Sequence, residues 1–208
     1  MSATVVTVTL MSAAVIPGYD LRMSRWQPNA RERLEQAALE LYTRQGFDQT
    51  TVDDIAQRAG LTERTFFRHF ADKREVLFSG QAALIDLVTD SVAAQEDTDP
   101  PLDVVAAALT AAGSALDGRG DRARQRQAVI DANPGLRERE LIKLATLADS
   151  LAEALRQRGV EAPAARLAAD VGLAVFRVAF ERWVQSPGGA PLPTLIADAF
   201  ADLRRIVA

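Results

Sequence analysis

Between Thr62 and Arg74 the chain gathers Arg64, Arg68, His69, Lys73 and Arg74, against Glu63 and Asp72 as the only acids. That is a local charge of +2 on a chain whose formal net charge is −4. Guanidinium and ammonium groups suit phosphate oxygens, and a guanidinium can also fork onto the N7 and O6 edge of a guanine. His69 is the only histidine, and it lies beside Arg68 on the side that would meet phosphates. Side chains of this kind point to contact with a nucleic acid rather than to bond-breaking chemistry.

The elements that must hold them can be read around the same stretch, TVDDIAQRAGLTERTFFRHFADKREVLF, residues 51–78. Thr51 stands three residues before Asp54, a capping-box spacing. Val52, Ile55, Ala56 and Ala59 then form one apolar stripe at helical spacing. Gly60 follows where a helix end favours a left-handed residue. Leu61 fills the angle, Thr62 is the next N-cap, and Phe66 and Phe70 pair at i, i+4. A second capping-box spacing, Asp72 to Glu75, predicts a further helix running from Asp72 to about Ala93. Upstream, Leu34, Ala37, Ala38, Leu41 and Tyr42 predict an amphipathic helix that ends at Gly46. Two short helices joined by a tight turn are the geometry that lays the second helix in a major groove.

These residues, from Arg31–Tyr42 through Gly46, Phe47, Thr51, Ile55, Ala56, Gly60, Thr65, Phe67, His69, Phe70 and Lys73, resemble the DNA-binding domain of the tetracycline-repressor (TetR) family. The resemblance covers about the first third of the chain. It implies an all-helical, dimeric, ligand-released regulator that binds a double-stranded operator. Carried over by position, it makes Thr51 a phosphate-binding hydroxyl, places Glu63, Arg64 and Thr65 at the base-reading end of the recognition helix with the N-cap Thr62 counted in the same DNA-binding set, and makes His69 and Lys73 phosphate contacts, with Arg68 beside them. Phe67 departs from the family's frequent tyrosine and keeps only an apolar or sugar contact. Arg64 is expected to read a base; a further phosphate contact is the alternative.

Composition frames the rest. With 208 residues and 48% hydrophobic content the chain can build one or two cores. The absence of cysteine excludes disulfides, thiolate metal sites and cysteine nucleophiles, and a single histidine excludes a histidine-rich metal site. No metal and no cofactor are expected, and no catalytic cluster stands out. Residues 23–80 carry nine bases and nine acids, so DNA contact must come from local arrangement, with Glu32, Glu35 and Glu40 turned away. Residues 1–22 are apolar without a basic start, which suits neither a signal peptide nor a membrane span. They are expected to be an extension without fixed structure, with Met11 and Met23 as alternative starts and Arg22, Arg25 and Trp26 as a candidate minor-groove arm. A cytoplasmic, membrane-free location follows from this reading.

Beyond residue 80 the pattern stays helical, with breaks at Asp99-Pro100-Pro101, at residues 131–135 (DANPG), at Gly159 and at residues 186–193 (SPGGAPLP). Residues 164–185 are apolar almost all round, so they should be covered on two sides. A second subunit is the expected second cover, with Val171, Val175 and Val178 of this helix and Ile196, Phe200 and Leu203 of the last helix, residues 194–207, sharing the interface; a deep monomer core is the alternative. Residues 81–118 hold seven acids and no base, whereas residues 119–143 hold seven bases against four acids. The stretch RQRQAVIDANPGLRERELIKLATLADSLAEALRQRG resembles the C-terminal domain of an actinobacterial subgroup that senses acyl-CoA-like ligands. On that reading Arg126 and Arg137 guard a pocket mouth, and Leu109, Leu144, Leu147, Leu151 and Phe176 line an apolar channel. A solvated basic helix face is the alternative.

The expectation is therefore an all-α protein: residues 1–22 an extension, 23–80 a three-helix helix-turn-helix domain, 81–208 a helical ligand-binding and dimerisation domain. Its expected partners are an operator, a small-molecule inducer such as a long-chain acyl-CoA, and a second copy of itself. A helical ligand-binding or interaction module without DNA binding is the competing reading.

Overall fold

The computed structural model describes residues 29–96 and 98–207. The expectations for residues 1–22, and for Arg22, Arg25 and Trp26, lie outside the described residues. Among those described, nine α-helices and one 3-10 turn follow one another with no strand.

The first three helices form a small head. Helix α1 (Ala30–Gln45) starts where Asn29 Oδ1 accepts from Glu32 N at 3.0 Å, and stops at Gly46, whose φ of 87° suits glycine. Helix α2 (Val52–Arg58) carries the predicted capping box: Thr51 Oγ1 accepts from Asp54 N at 3.1 Å, and Thr51 N donates to Asp54 Oδ2 at 2.8 Å. Gly60, at φ 64°, turns the chain into α3 (Glu63–His69), whose N-cap Thr62 accepts from Thr65 N at 3.2 Å. Leu34, Ile55 and Phe66 are fully buried between these helices.

The predicted helix from Asp72 to Ala93 is two elements. Asp72 Oδ1 does cap the start, accepting from Arg74 N and Glu75 N at 2.7 and 3.0 Å. What it starts is a 3-10 turn, Glu75–Phe78, and α4 (Gln81–Ala93) begins after Ser79-Gly80. Glycine and serine favour the break, and side-chain bonds hold it there: Arg31 Nη2 donates to the Ser79 carbonyl at 2.7 Å, and Ser79 Oγ to Glu35 Oε1 at 2.7 Å.

The body is built from α4, α5 (Pro101–Asp117), α6 (Gly120–Asp131), α7 (Pro134–Gln157), α8 (Ala162–Gln185) and α9 (Leu192–Val207). Helix α5 packs on α4, α8 and α9, and α7 packs on α4 and α8. Glycines set two close approaches. A Cβ on Gly172 of α8 would lie 2.3 Å from Val105 Cγ1, and one on Gly113 of α5 would lie 2.5 Å from Ile196 Cδ1. The sequence pattern is helical up to the break at residues 131–135, but it does not mark α6 as a separate helix, because GDRARQRQAVID shows no apolar stripe beyond Val129 and Ile130. Those two residues, with Leu136 of α7, are buried in the head's core rather than the body's. The α6–α7 corner thus belongs to both units, although the boundary was expected at residue 80.

Candidate nucleic-acid interface

Helix α3 turns Phe66 into the head and leaves Glu63, Arg64, Phe67 and Arg68 exposed, with Thr65 half-buried. Phe67 is 56% exposed and meets Phe66 edge-on, so its ring stands off the surface on a rigid base. Arg64 and Arg68 make no hydrogen bond or ion pair among the described residues, which leaves both guanidiniums available. The Thr51 and Thr62 hydroxyls lie at the N-terminal ends of α2 and α3, already engaged as caps. Thr62 Oγ1 and Thr65 Oγ1 are 3.0 Å apart, so one hydroxyl donates to the other. The bond from Thr51 lowers the Asp54 carboxyl below its usual range, which keeps the cap charged.

His69 sits half-buried at the end of α3, and its Nε2 is shielded without a hydrogen-bond partner among the described residues. A phosphate could reach this nitrogen only after the His69 ring turned outward.

Lys73 requires a correction. Its Nζ donates to the carbonyls of Phe47, Asp48 and Thr50 at 2.9, 3.3 and 2.8 Å, and stands 4.5 Å over the Phe47 ring. An ammonium has three donors, and all three are used on the loop between α1 and α2. Lys73 therefore holds that loop, and with it Thr51, instead of offering a proton to phosphate. Tyr42 Oη supports the tie by donating to the Lys73 carbonyl at 2.6 Å. Arg33, not singled out from sequence, does the same for the turn, donating to the carbonyls of Ala59 and Gly60. A base within reach of a helix C-terminus was the available signal.

The expected ligand residues divide. Leu109, Leu147, Leu151 and Phe176 come together, but as closed core packed with Val88, Leu155 and Ile196. Leu144 is half-buried and does not join that core. Two shallow clefts, of about 350 and 200 Å³, lie by Glu40, Arg44 and Arg58 and by Phe47, Arg74 and Leu136; they touch none of these residues. Arg137 is exposed on α7. Arg126 does not guard a mouth: its Nε donates to the Leu77 carbonyl at 2.7 Å and its Nη1 to Glu140 Oε1 at 3.1 Å. Its neighbours are spent likewise. Arg122 pairs with Glu35 at 2.9 Å, Arg139 with Glu75, and Lys143 with Glu75 at 3.5 Å. Most of the basic run joins body to head.

The expected subunit contacts also divide. Ile196 and Phe200 are 0% and 1% exposed, and Val175 is buried with them. Helix α9 packs Leu192, Leu195, Ile196, Ala199 and Phe200 into the core of its own chain, so Val175, Ile196 and Phe200 are intrachain core, while Ile206 is 81% exposed. Val171 and Leu203 are half-buried, while Val178 and Leu167 of α8 are 50% and 65% exposed.

Comparison with known proteins agrees with this architecture. Residues 35–79 match the bacterial regulatory proteins of the tetR family, and residues 99–208 match the MftR C-terminal domain. The chain is 35% identical over 103 residues to the transcriptional regulator TcmR of Streptomyces glaucescens, covering 49% of this chain and 44% of TcmR. It is 27% identical over 143 residues to the mycofactocin-biosynthesis regulator MftR of Mycobacterium tuberculosis, covering 67% and 71% of the two chains. The chain thus spans less than half the length of TcmR. Among solved structures, FadR of Bacillus halodurans shares the fold at a TM-score of 0.60 and 19% identity, over 83% of this chain and 93% of that one. FadR of Bacillus subtilis, solved with stearoyl-CoA, does so at 0.59 and 20%, over 81% and 94%. With its family's head on α1–α3 and a matched body over more than half its length, the chain belongs to the TetR family of bacterial regulatory proteins, in the branch with an MftR-type C-terminal domain.

Proposed function

We propose that this protein is a homodimeric transcriptional repressor that binds a near-palindromic operator and leaves it when an amphipathic ligand, such as a long-chain acyl-CoA, enters the body. The observation that carries the DNA reading is α3: Glu63, Arg64, Phe67 and Arg68 stand exposed while Phe66 anchors the helix from behind. Arg64 reads a base, Arg68 and His69 meet phosphate, and Thr51, Thr62 and Thr65 add hydroxyls at the helix starts. Such a partner places the protein in the cytoplasm.

Two heads are needed to read two half-sites about one DNA turn, ~34 Å, apart. The face available for pairing is α8, where Leu167, Val171, Ala174 and Val178 recur at i, i+4, i+7 and i+11, with Leu203 of α9 at its edge.

The ligand reading is supported by the stearoyl-CoA held by a protein of the same fold and by the wholly apolar set Leu109, Leu144, Leu147, Leu151 and Phe176. Leu109, Leu147, Leu151 and Phe176 are closed core here, so a ligand must select an opened body, and its differential affinity sets the shift away from DNA. The test is a gel shift at controlled salt on DNA flanking the gene, with and without palmitoyl-CoA. A specific complex released by palmitoyl-CoA is expected. A complex that ignores it would remove the ligand, and no complex on any fragment would favour a helical module without DNA binding.

A further inference from the structure

Among the described residues of the head, Phe67 is the only large apolar side chain that stands exposed, at 56%. One exposed ring means little by itself; its mounting and its neighbours give it meaning. The Phe66 ring meets it edge-on, with centroids 5.5 Å apart and planes at 83°. Phe66 is in turn held within the head's core, 5.4 Å from the buried Phe70 ring. A phenyl ring on so firm a base has little freedom to lose when a partner arrives.

Residues three and four apart on a helix stand side by side. Glu63 and Arg64 are therefore the neighbours of Phe67 one turn back. At 3.6 residues per turn the exposed side chains of α3 follow around its axis in the order Glu63, Phe67, Arg64, Arg68. None of the three charged ones makes a hydrogen bond or ion pair among the described residues. Phosphate repels a carboxylate, so the Glu63 side of this face must lie over base edges, where an exocyclic amino group welcomes an acceptor. Arg68 marks the opposite, phosphate flank. Phe67 sits between Glu63 and the base-reading Arg64, away from that flank.

Over base edges the ring has no donor and no acceptor to offer, and the negative face of its π-system disfavours phosphate. The major groove presents one apolar group, the methyl on C5 of a pyrimidine. Thymine always carries it, and cytosine carries it when methylated.

We propose that Phe67 reads a pyrimidine 5-methyl group in each operator half-site. The ring packs on the methyl and excludes water from it, so the position selects for a methyl where a hydroxylated ring would bond phosphate. This rests on the DNA-binding reading above and adds one determinant of its sequence preference.

The test uses the operator fragment that the full chain retains in the gel shift. Each thymine is replaced in turn by uracil, which lacks only the methyl, and each cytosine in turn by 5-methylcytosine. Wild type and Phe67→Ala are titrated on every fragment. Burial of one methyl corresponds to about a fourfold change in affinity. At one pyrimidine per half-site, wild type is expected to bind about fourfold weaker when a thymine methyl is removed, which assigns thymine, or about fourfold tighter when a cytosine methyl is added, which assigns methylated cytosine. Phe67→Ala should bind the two forms of that site equally. If Phe67→Ala does not fold, Phe67→Gln takes its place with the same expectation. No responsive pyrimidine in wild type would overturn the proposal while leaving DNA binding intact. An equal response in the variant would do the same, because the methyl then acts through DNA shape. No specific complex on unmodified DNA would overturn the proposal and the DNA-binding reading together.

Discussion

Arg64 and Lys73 lie nine residues apart on the same head, carry the same charge, and do opposite work. Arg64 is exposed with no partner among the described residues, so its donors remain for DNA. Arg64→Ala is expected to leave the melting temperature near wild type and to lose about 1–3 kcal/mol of discrimination at one operator position. Titrations on operators substituted position by position check this; uniform weakening at every position would make Arg64 a phosphate contact. Lys73 has its donors on the Phe47, Asp48 and Thr50 carbonyls. Lys73→Met strands those acceptors and should cost about 1.5–3 kcal/mol of stability. DNA affinity should fall for every sequence, because Thr51 is no longer held. The slope of log affinity against log salt should stay as in wild type, whereas loss of a phosphate contact would lower it by about 0.9 per contact. A reduced slope would return Lys73 to the phosphate set.

At the scale of the helix, whatever depends on neighbours in sequence was legible and whatever depends on a distant partner was not. The Thr51–Asp54 box, the Gly60 turn and the Phe66–Phe70 pair are local, and each appears where the spacing put it. The fate of the bases in residues 119–143 depends on Glu35 and Glu75, more than forty residues away, so the sequence pattern fitted a pocket mouth equally well. Helix α9 illustrates the same limit: its stripe was plain, but whether Ile196 and Phe200 face their own chain or another is decided by α5. The two tight glycines set that packing, and they should not tolerate substitution equally. Gly172→Ala drives a Cβ against Val105 Cγ1, which is fixed one bond from a β-branched centre. Gly113→Ala meets Ile196 Cδ1, the free end of a longer side chain. Overpacking of the first kind costs about 1–3 kcal/mol, so denaturant unfolding should show Gly172→Ala as the less stable variant. Equal midpoints would mean that α5 and α8 separate more easily than their closed packing indicates, which would in turn favour easy entry of a ligand.

For the whole molecule the decisive question is which face meets a second copy. Once Val175, Ile196 and Phe200 are taken into the chain's own core, Leu167, Val171, Ala174 and Val178 remain as one apolar line on the surface of α8. Leu167 and Val178 are among the most exposed large apolar side chains described, at 65% and 50%. Arg177 and Glu181, paired at 3.9 Å, flank them as a polar rim. A charge placed on the centre of a buried seam has no partner and must be desolvated. Val178→Glu is therefore expected to weaken dimerisation by several kcal/mol while leaving the fold intact, since the side chain is exposed in the single chain. Sedimentation velocity should then show a monomer at concentrations where wild type is a dimer. Operator binding should weaken far more than half-site binding, because the two recognition helices are no longer tethered one DNA turn apart. An Ile196→Glu variant should behave differently and lose the fold itself, since that residue is fully buried within its own chain. If Val178→Glu remained dimeric, the seam would have to lie elsewhere, and Leu141 and Ile142 of α7, each 59% exposed, are the next surface to substitute.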